Sequence, residues 1–134
     1  MPLARLFSTA ILLIALPGFA QASPTFVTER VVGAGRTQKI GYFAAIDPTC
    51  HSMGQMTINL LDEPHGGRIQ VMQGREYPSF ATFNTRSSCN KSKLPATQLF
   101  YAAAPGYTGE DEFTIEVVGP LGAAQRWRYR VTVR

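Results

Sequence analysis

From Thr25 onward the chain consists of short runs rich in Val, Ile, Phe, Tyr and Thr, separated by Gly, Pro, Asn and Asp. Within the runs, apolar and polar residues alternate, which is typical of β-strands because successive side chains point to opposite faces. The helical period of 3.6 residues does not recur after the first 22 residues. The pattern predicts strands at residues 25–32, 38–46, 55–61, 68–73, 98–103, 112–118 and 126–133, with a weaker one at 79–85.

Two of these runs, residues 55–61 and 68–73, each have one apolar and one polar face. Such strands belong to antiparallel sheets that pack in two layers. The connecting residues include Pro64, His65 and Gly66, where proline restricts φ and glycine permits positive φ. This composition predicts a hairpin between the two runs and makes the turn a candidate binding element.

The last run, residues 126–134, alternates four arginines with apolar side chains. Residues 112–118 alternate in the same way, with Glu112 and Glu116 on the polar face. If these two runs form a hairpin with their apolar faces together, both glutamates lie among the arginines. Pairs of opposite charge across strands contribute about 0.2–1 kcal/mol each. The arginine stripe is therefore interpreted as a paired, solvated face, with a partner-binding surface as the alternative.

Residues 1–22 have the pattern of a secretory signal peptide. Arg5 precedes an apolar run at residues 10–16, and Ala20 and Ala22 supply the small residues of a cleavage site. A membrane anchor is the alternative, but the apolar run is shorter than the roughly 20 residues that span a bilayer. The sequence predicts one domain at residues 23–134, secreted or periplasmic, with no transmembrane segment after cleavage.

The net charge and the cysteine content limit which partners and which kinds of site are expected. Loss of Arg5 lowers the formal charge from +4 to +3, which is too small to indicate nucleic acid or anionic lipid as a partner. An even number of cysteines in an exported chain predicts a disulfide, here between Cys50 and Cys89. Closing a loop of about 40 residues is worth about 4 kcal/mol. A free thiol or a metal pair is the alternative, but the CxxC spacing of such sites is absent.

Residues 84–97 are polar and partly basic, and they are predicted to form a long surface loop held at Cys89. Long loops in compact domains are often functional, although a simple tether between two sheets is the plainer interpretation. The candidate binding residues of this loop are Arg86, Asn90, Lys91 and Lys93. Asn90-Lys91-Ser92 also matches the acceptor pattern for N-glycosylation.

The sequence contains no HExxH, no Gly-x-Ser-x-Gly and no phosphate-binding glycine loop. Zinc takes three or four ligands, so once the cysteines are paired a site built on His51 and His65 would need carboxylates to complete it, which disfavours a metal centre. The acids at 110–112 could in principle bind calcium, but neighbouring residues on a strand face opposite ways. The prediction is therefore no catalytic residue, no cofactor, no metal site and no enzymatic activity. An enzyme without a linear signature remains the alternative.

Residues 101–133 resemble the C-terminal half of bacterial immunoglobulin-like and cadherin-like repeat domains. The positions that carry the resemblance are Tyr101, Pro105, Gly106, Gly109, Asp111, Phe113, Gly122, Val131 and Val133. It implies an immunoglobulin-like antiparallel β-sandwich of about seven strands in Greek-key order, used for adhesion, spacing and surface interaction. This chain differs in being a single copy with a cysteine pair, so calcium ligands found between tandem domains are not carried over.

Together these observations predict an exported, non-catalytic binding or accessory domain that acts on a protein or glycan of the cell envelope. The alternative is an inhibitor of an exported hydrolase, a lysozyme or a protease. In that case loop 84–97 or the turn at 63–67 would enter the active site, and the disulfide would favour tight binding by holding the loop in place.

Overall fold

The computed structural model describes Gly18 and residues 22–134; the predicted signal peptide lies outside the described residues apart from Gly18 and Ala22. Within this part the chain forms nine strands and one short 3-10 helix at Ser87–Lys91. The strands are β1 (Thr25–Val32), β2 (Thr37–Phe43), β3 (Ala45–Ile46), β4 (Ser52–Gly54), β5 (Thr57–Asp62), β6 (Gly67–Glu76), β7 (Leu94–Ala103), β8 (Gly109–Val118) and β9 (Ala124–Val133).

Seven of these strands form two facing sheets. One sheet has the order β1-β9-β8-β5 and the other has the order β2-β7-β6, while β3 and β4 form a separate small hairpin. All pairings are antiparallel except that of β1 with β9, which is parallel. The prediction of an all-β sandwich of about seven strands is confirmed.

The core lies where the alternating apolar faces of the two sheets meet. Phe113 and Tyr129 of the four-stranded sheet stack with ring centroids 5.0 Å apart, and Tyr101 of the facing sheet lies 6.3 Å from Phe113. Leu99 and Ile115 are also fully buried. Full burial of each large apolar side chain contributes roughly 1.5–3 kcal/mol, so this stack positions β7, β8 and β9 firmly.

The predicted hairpin between residues 112–118 and 126–133 is confirmed, and Glu112 forms the predicted charge pairs. Glu112 lies opposite Arg130, and Glu116 lies opposite Arg126. The carboxylate of Glu112 lies 3.3 Å from Nε of Arg130 and 3.7 Å from Nε of Arg128. The acids and arginines therefore share the solvent face of this sheet.

The predicted hairpin between residues 55–61 and 68–73 is wrong. β5 pairs with β8 in one sheet, and β6 pairs with β7 in the other. Connection 63–66 therefore carries the chain across the sandwich. Alternation predicts which face of a strand is buried but does not identify its partner, and here the two apolar faces belong to opposite layers.

Three further boundaries differ from the prediction. The run at 38–46 ends as β2 at Phe43, and β3 pairs with β4 instead. Residues 79–85 form turns because the backbone of Phe80 bonds to the side chain of Asn90 and not to a strand. The predicted loop 84–97 ends early, since β7 begins at Leu94 and continues the pairing with β6.

The predicted disulfide between Cys50 and Cys89 is confirmed, with the two Cα atoms 5.3 Å apart. It joins the turn between β3 and β4 to the 3-10 helix. Asp47 shapes that turn, since its Oδ1 accepts hydrogen bonds from the backbone N–H groups of Thr49 and His51 at 2.9 Å. Cys50 occupies this turn with a φ of +66°.

Replacing both cysteines by alanine should lower the free energy of unfolding by about 2–4 kcal/mol, because the unfolded chain regains the entropy that the closed loop removes. Urea unfolding at neutral pH measures this loss. Ser88→Ala, an exposed change beside Cys89, is the control and should stay within about 0.5 kcal/mol of the parent. Equal stability of the double variant and the control would contradict the prediction.

Candidate functional site

The strand directions gather the connections of the sandwich at two opposite ends. β6 and β7 pair antiparallel, as do β8 and β9, so their connections fall at alternate ends. Backbone hydrogen bonds from Ala103 to Arg36 and from Ala104 to Gly66 tie the connections of one end to each other. We call this the turn end, formed by residues 33–36, 63–66 and 104–108, and the opposite one the loop end, formed by 44–56, 77–93 and 119–123.

At the turn end the carboxylate of Asp111 holds three segments together. Asp111 is only 3% exposed. Its Oδ1 accepts hydrogen bonds from the backbone N–H groups of His65 at 3.0 Å and Glu112 at 2.9 Å. Its Oδ2 accepts from the N–H of Gly66 at 2.9 Å and from the hydroxyl of Tyr101 at 2.6 Å. One side chain thus joins connection 63–66 to β7 and β8.

Burial raises the pKa of Asp111, but hydrogen bonds from Tyr101 and from the backbone outweigh burial and hold the pKa below its usual range. For Tyr101, burial and then the hydrogen bond to Asp111 raise the pKa of the hydroxyl. At neutral pH the pair is an ionised acceptor and a neutral donor. Hydrogen bonds to an ionised acceptor are stronger than those between neutral groups, so this pair stabilises the turn end.

The candidate turn Pro64, His65 and Gly66 is held in place by this carboxylate. Gly66 is buried below Tyr107, and a Cβ on Gly66 would lie 2.2 Å from Cε1 of that ring, so only glycine fits. The side chain of His65 is 71% exposed, with Nδ1 2.9 Å from Oδ1 of Asp111. The turn therefore presents the imidazole to solvent, and its role in binding stays a prediction.

The motif residues of the sequence cluster around the same end. Tyr101 and Phe113 are core side chains, and Gly106 and Gly109 have φ values of +77° and +118° that favour glycine. Pro105 is exposed beside them. Asp111 accepts hydrogen bonds from the N–H of Glu112 and from N–H groups of a connection 45 and 46 residues away.

At the loop end, two contacts join residues 77–93 to segment 44–56, and a third links two parts of residues 77–93 to each other. The first is the disulfide at Cys89. The second is a hydrogen bond of 2.7 Å from Nε of Arg86 to the carbonyl oxygen of Ile46. The third is the amide of Asn90, which accepts from the N–H of Phe80 and donates to its carbonyl oxygen, both at 2.9 Å. The segment is therefore fixed at several points.

These contacts separate the four candidate binding residues of the loop into two that bond within the protein and two that are exposed. The side chains of Arg86 and Asn90 already have partners within the protein. Lys91 is exposed at the end of the 3-10 helix, and the ammonium of Lys93 lies 5.6 Å from the ring centroid of Tyr77. A binding role for Lys91 and Lys93 stays a prediction.

The loop end also exposes large apolar side chains that sequence reasoning missed. Phe83 is 91% exposed, Leu121 is 82% exposed and Met53 is 42% exposed. They belong to three different connections, of which two touch, since a Cβ on Gly54 would lie 2.9 Å from Pro120. Phe83 fell in the predicted strand 79–85, where an aromatic residue indicates burial. The alternation pattern did not show that Phe83 lies in a turn, where its side chain is exposed.

The described part of the chain has no helix long and apolar enough to cross a membrane. Across residues 22–134 there is also no group of three or more His, Cys, Asp or Glu side chains placed to hold a metal ion.

Comparison with known proteins adds little to this description. No protein-family model matches the chain, and no curated protein matches it. Among solved structures, the solution structure of amebosin is similar at a TM-score of 0.40 and 12% identity, over 85% of this chain and 100% of amebosin. A likeness at this level carries no argument about function, so the functional argument rests on the residues themselves.

Replacing Asp111 by Asn should lower the free energy of unfolding by about 2–4 kcal/mol. Whichever way the amide turned, its NH2 group would face buried donors that now bond to oxygen. Urea unfolding at pH 7 measures the change. Glu112→Gln, at the exposed neighbouring acid, is the matched control and should cost no more than about 1 kcal/mol.

Lowering the pH should remove the stabilisation that the Asp111 carboxylate provides, because the pKa of Asp111 in the folded state is below its usual range. The contribution is complete above the unfolded-state pKa of about 3.9 and is lost as the pH falls through the folded-state pKa. Stability measured between pH 7 and about pH 3 should therefore fall less steeply for Asp111→Asn than for the parent chain. Parallel pH profiles would contradict the role assigned to this carboxylate.

Proposed function

We propose that this chain is an exported binding domain that recognises a protein of the cell envelope through its loop end. Phe83 is the principal anchor, and Leu121 and Met53 are further exposed apolar residues of the same end. The observation that carries the proposal is the 91% exposure of Phe83 on a segment held by a disulfide and by the side chains of Arg86 and Asn90. An apolar ring held in water by a fixed segment is suited to enter a pocket on a partner.

Anchoring matters because binding normally has to order mobile side chains and loops, at about 0.5–1.5 kcal/mol for each ordered side chain. Asn90 has already fixed the backbone of Phe80, and the disulfide has fixed the 3-10 helix at Cys89. A large part of the apolar contact energy of Phe83, roughly 1.5–3 kcal/mol for full burial, is then available for affinity. Aromatic residues are enriched in protein interfaces for this reason.

Other exposed residues of the loop end indicate the character of the partner. Leu121 and Met53 add apolar surface to this end, which favours a protein over a glycan. Lys91 and Lys93 place positive charge on the same connection, so a partner with acidic groups around its apolar pocket fits best. Charged groups at the rim of an interface contribute more to the rate of association than to affinity.

Export rests on the signal-peptide pattern of residues 1–22 and on the disulfide, which persists in oxidising compartments. The resemblance to bacterial immunoglobulin-like and cadherin-like repeats supports the same function, since the motif residues occupy turn and core positions of a sandwich. We place the domain in the periplasm or outside the cell, where such a partner is accessible.

An inhibitor of an exported hydrolase is the second candidate. One observation favours it: the aromatic side chain projects from a covalently tethered segment, a geometry suited to blocking an active site. Activity assays of lysozyme and of secreted proteases distinguish the two candidates, because an accessory domain would bind its partner without reducing catalysis.

Phe83→Ala should weaken capture of the partner about 10–100-fold, because truncating an aromatic anchor typically removes about 1.4–2.8 kcal/mol. The mature domain, residues 23–134, is immobilised and exposed to envelope extract, and each captured protein is then titrated individually. Only capture that depends on Phe83 supports the proposal. The thermal midpoint should not change, since a 91% exposed side chain contributes little to stability.

Met72→Ala is the matched control, because Met72 is also an exposed apolar residue but lies on the strand β6, within the sheet. It should capture the same proteins with the same affinity as the parent domain. If Phe83→Ala and Met72→Ala behave alike, the loop end is not the contact surface.

A further inference from the structure

A second feature lies at the turn end, away from Phe83. Three chain segments, residues 35–37, 65–68 and 102–105, enclose an open cleft of about 500 Å³. A site of this volume accommodates a small ligand. Its floor consists of Ala102, Ala103, Ala104 and Pro105. The side chain of Ala103 packs against the core, so the methyl and methylene surface of the floor comes from the other three residues.

The two charged side chains that line this cleft, Arg36 and Arg68, are both positive. His65 and uncharged residues complete the lining, and none of the lining residues is an acid. Among residues 22–134, no carboxylate oxygen lies within 4.0 Å of either guanidinium group. Glu63 belongs to a smaller neighbouring cleft of about 180 Å³ on the other side of Arg68.

Five other arginines have partners within the described part of the chain. Arg128 and Arg130 pair with Glu112. Arg30, Arg75 and Arg86 donate to backbone carbonyl oxygens at 2.7 Å. Arg126 and Arg134 also lack a carboxylate within 4.0 Å among the described residues. What distinguishes Arg36 and Arg68 is that both line the same cleft, where one ligand can supply an acceptor to both.

The walls of the cleft are fixed before any ligand arrives. Ala103 donates a backbone hydrogen bond to the carbonyl oxygen of Arg36 at 3.0 Å, and Ala104 donates one to that of Gly66 at 2.9 Å. Asp111 holds the backbone and Nδ1 of His65. Since three connections are joined in this way, a ligand would have to order only the two arginine side chains.

We propose that this cleft binds the carboxylate group of a small ligand whose neighbouring methyl groups rest on the alanine floor. The guanidinium group presents parallel N–H donors that match the two oxygens of a carboxylate. Peptide C-termini and acid sugars both supply a carboxylate beside methyl groups. This site is independent of Phe83 and of the partner proposed for the loop end.

Two pairs of probes test the proposal on the mature domain by NMR titration. Acetyl-alanyl-alanine is compared with its C-terminal amide, and N-acetylmuramic acid is compared with N-acetylglucosamine. We expect saturable shifts of the amide signals of Arg36, His65 and Arg68 with one or both acids, at dissociation constants on the order of 1 mM. Neither neutral compound should produce them. Which acid binds then identifies the source of the carboxylate.

Arg36→Gln and Arg68→Gln should each weaken binding about tenfold or more, since each removes a charge-assisted pair of hydrogen bonds. Arg126→Gln removes one positive charge, as the two test variants do, but Arg126 does not line the cleft. This variant should bind the acids as tightly as the parent domain. Thermal unfolding checks that every variant is folded. Arg36→Lys and Arg68→Lys keep the charge but lose the paired donors, and they should bind less tightly than the parent.

Three results would overturn the assignment. One is the absence of saturable shifts with both acids up to about 10 mM. Another is equal binding of the neutral compounds, which would show that the carboxylate is not recognised. The third is tighter binding of inorganic phosphate than of either acid, which would make the cleft a phosphate site.

Discussion

The buried carboxylate of Asp111 is the interaction on which the turn end depends. It accepts hydrogen bonds from Tyr101, His65, Gly66 and Glu112, and these donors belong to both sheets and to the connection that crosses between them. Burying an ionised group is costly unless such donors surround it. Since each donor would also lose a partner if the carboxylate moved, the arrangement selects one position for the crossing chain and so forms one wall of the cleft.

The loop end reaches comparable order by other means. A covalent bond at Cys89, the guanidinium of Arg86 and the amide of Asn90 replace the central carboxylate. Neither end therefore needs long-range ordering before it contacts a ligand. The chemistry presented at the two ends differs, however, because Phe83 offers apolar surface to water while Arg36 and Arg68 offer positive charge. The ligands proposed for the two ends therefore differ in kind.

The arginines show how the same residue type serves opposite purposes. On the solvent face of β8 and β9 they alternate with apolar side chains and lie beside Glu112, so much of their charge is locally balanced. At the cleft, Arg36 and Arg68 come from β-strand connections and strand ends with no carboxylate within reach among the described residues. Net charge alone does not distinguish these situations, because it counts both sets equally.

By itself the sequence determined the bounds of β1 and the hairpin of β8 and β9 with Glu112 among the arginines, which depend on neighbouring residues. It also determined the disulfide, because the chain has two cysteines and only one pairing is possible. Alternation is a local property, and it reports which face of a strand is buried. Only the tertiary structure decided that β5 and β6 lie in different sheets, that Asp111 reaches connection 63–66, and that Arg36 and Arg68 line one cleft. Those features join residues more than 30 positions apart, and no spacing along the chain encodes which distant strand completes a sheet.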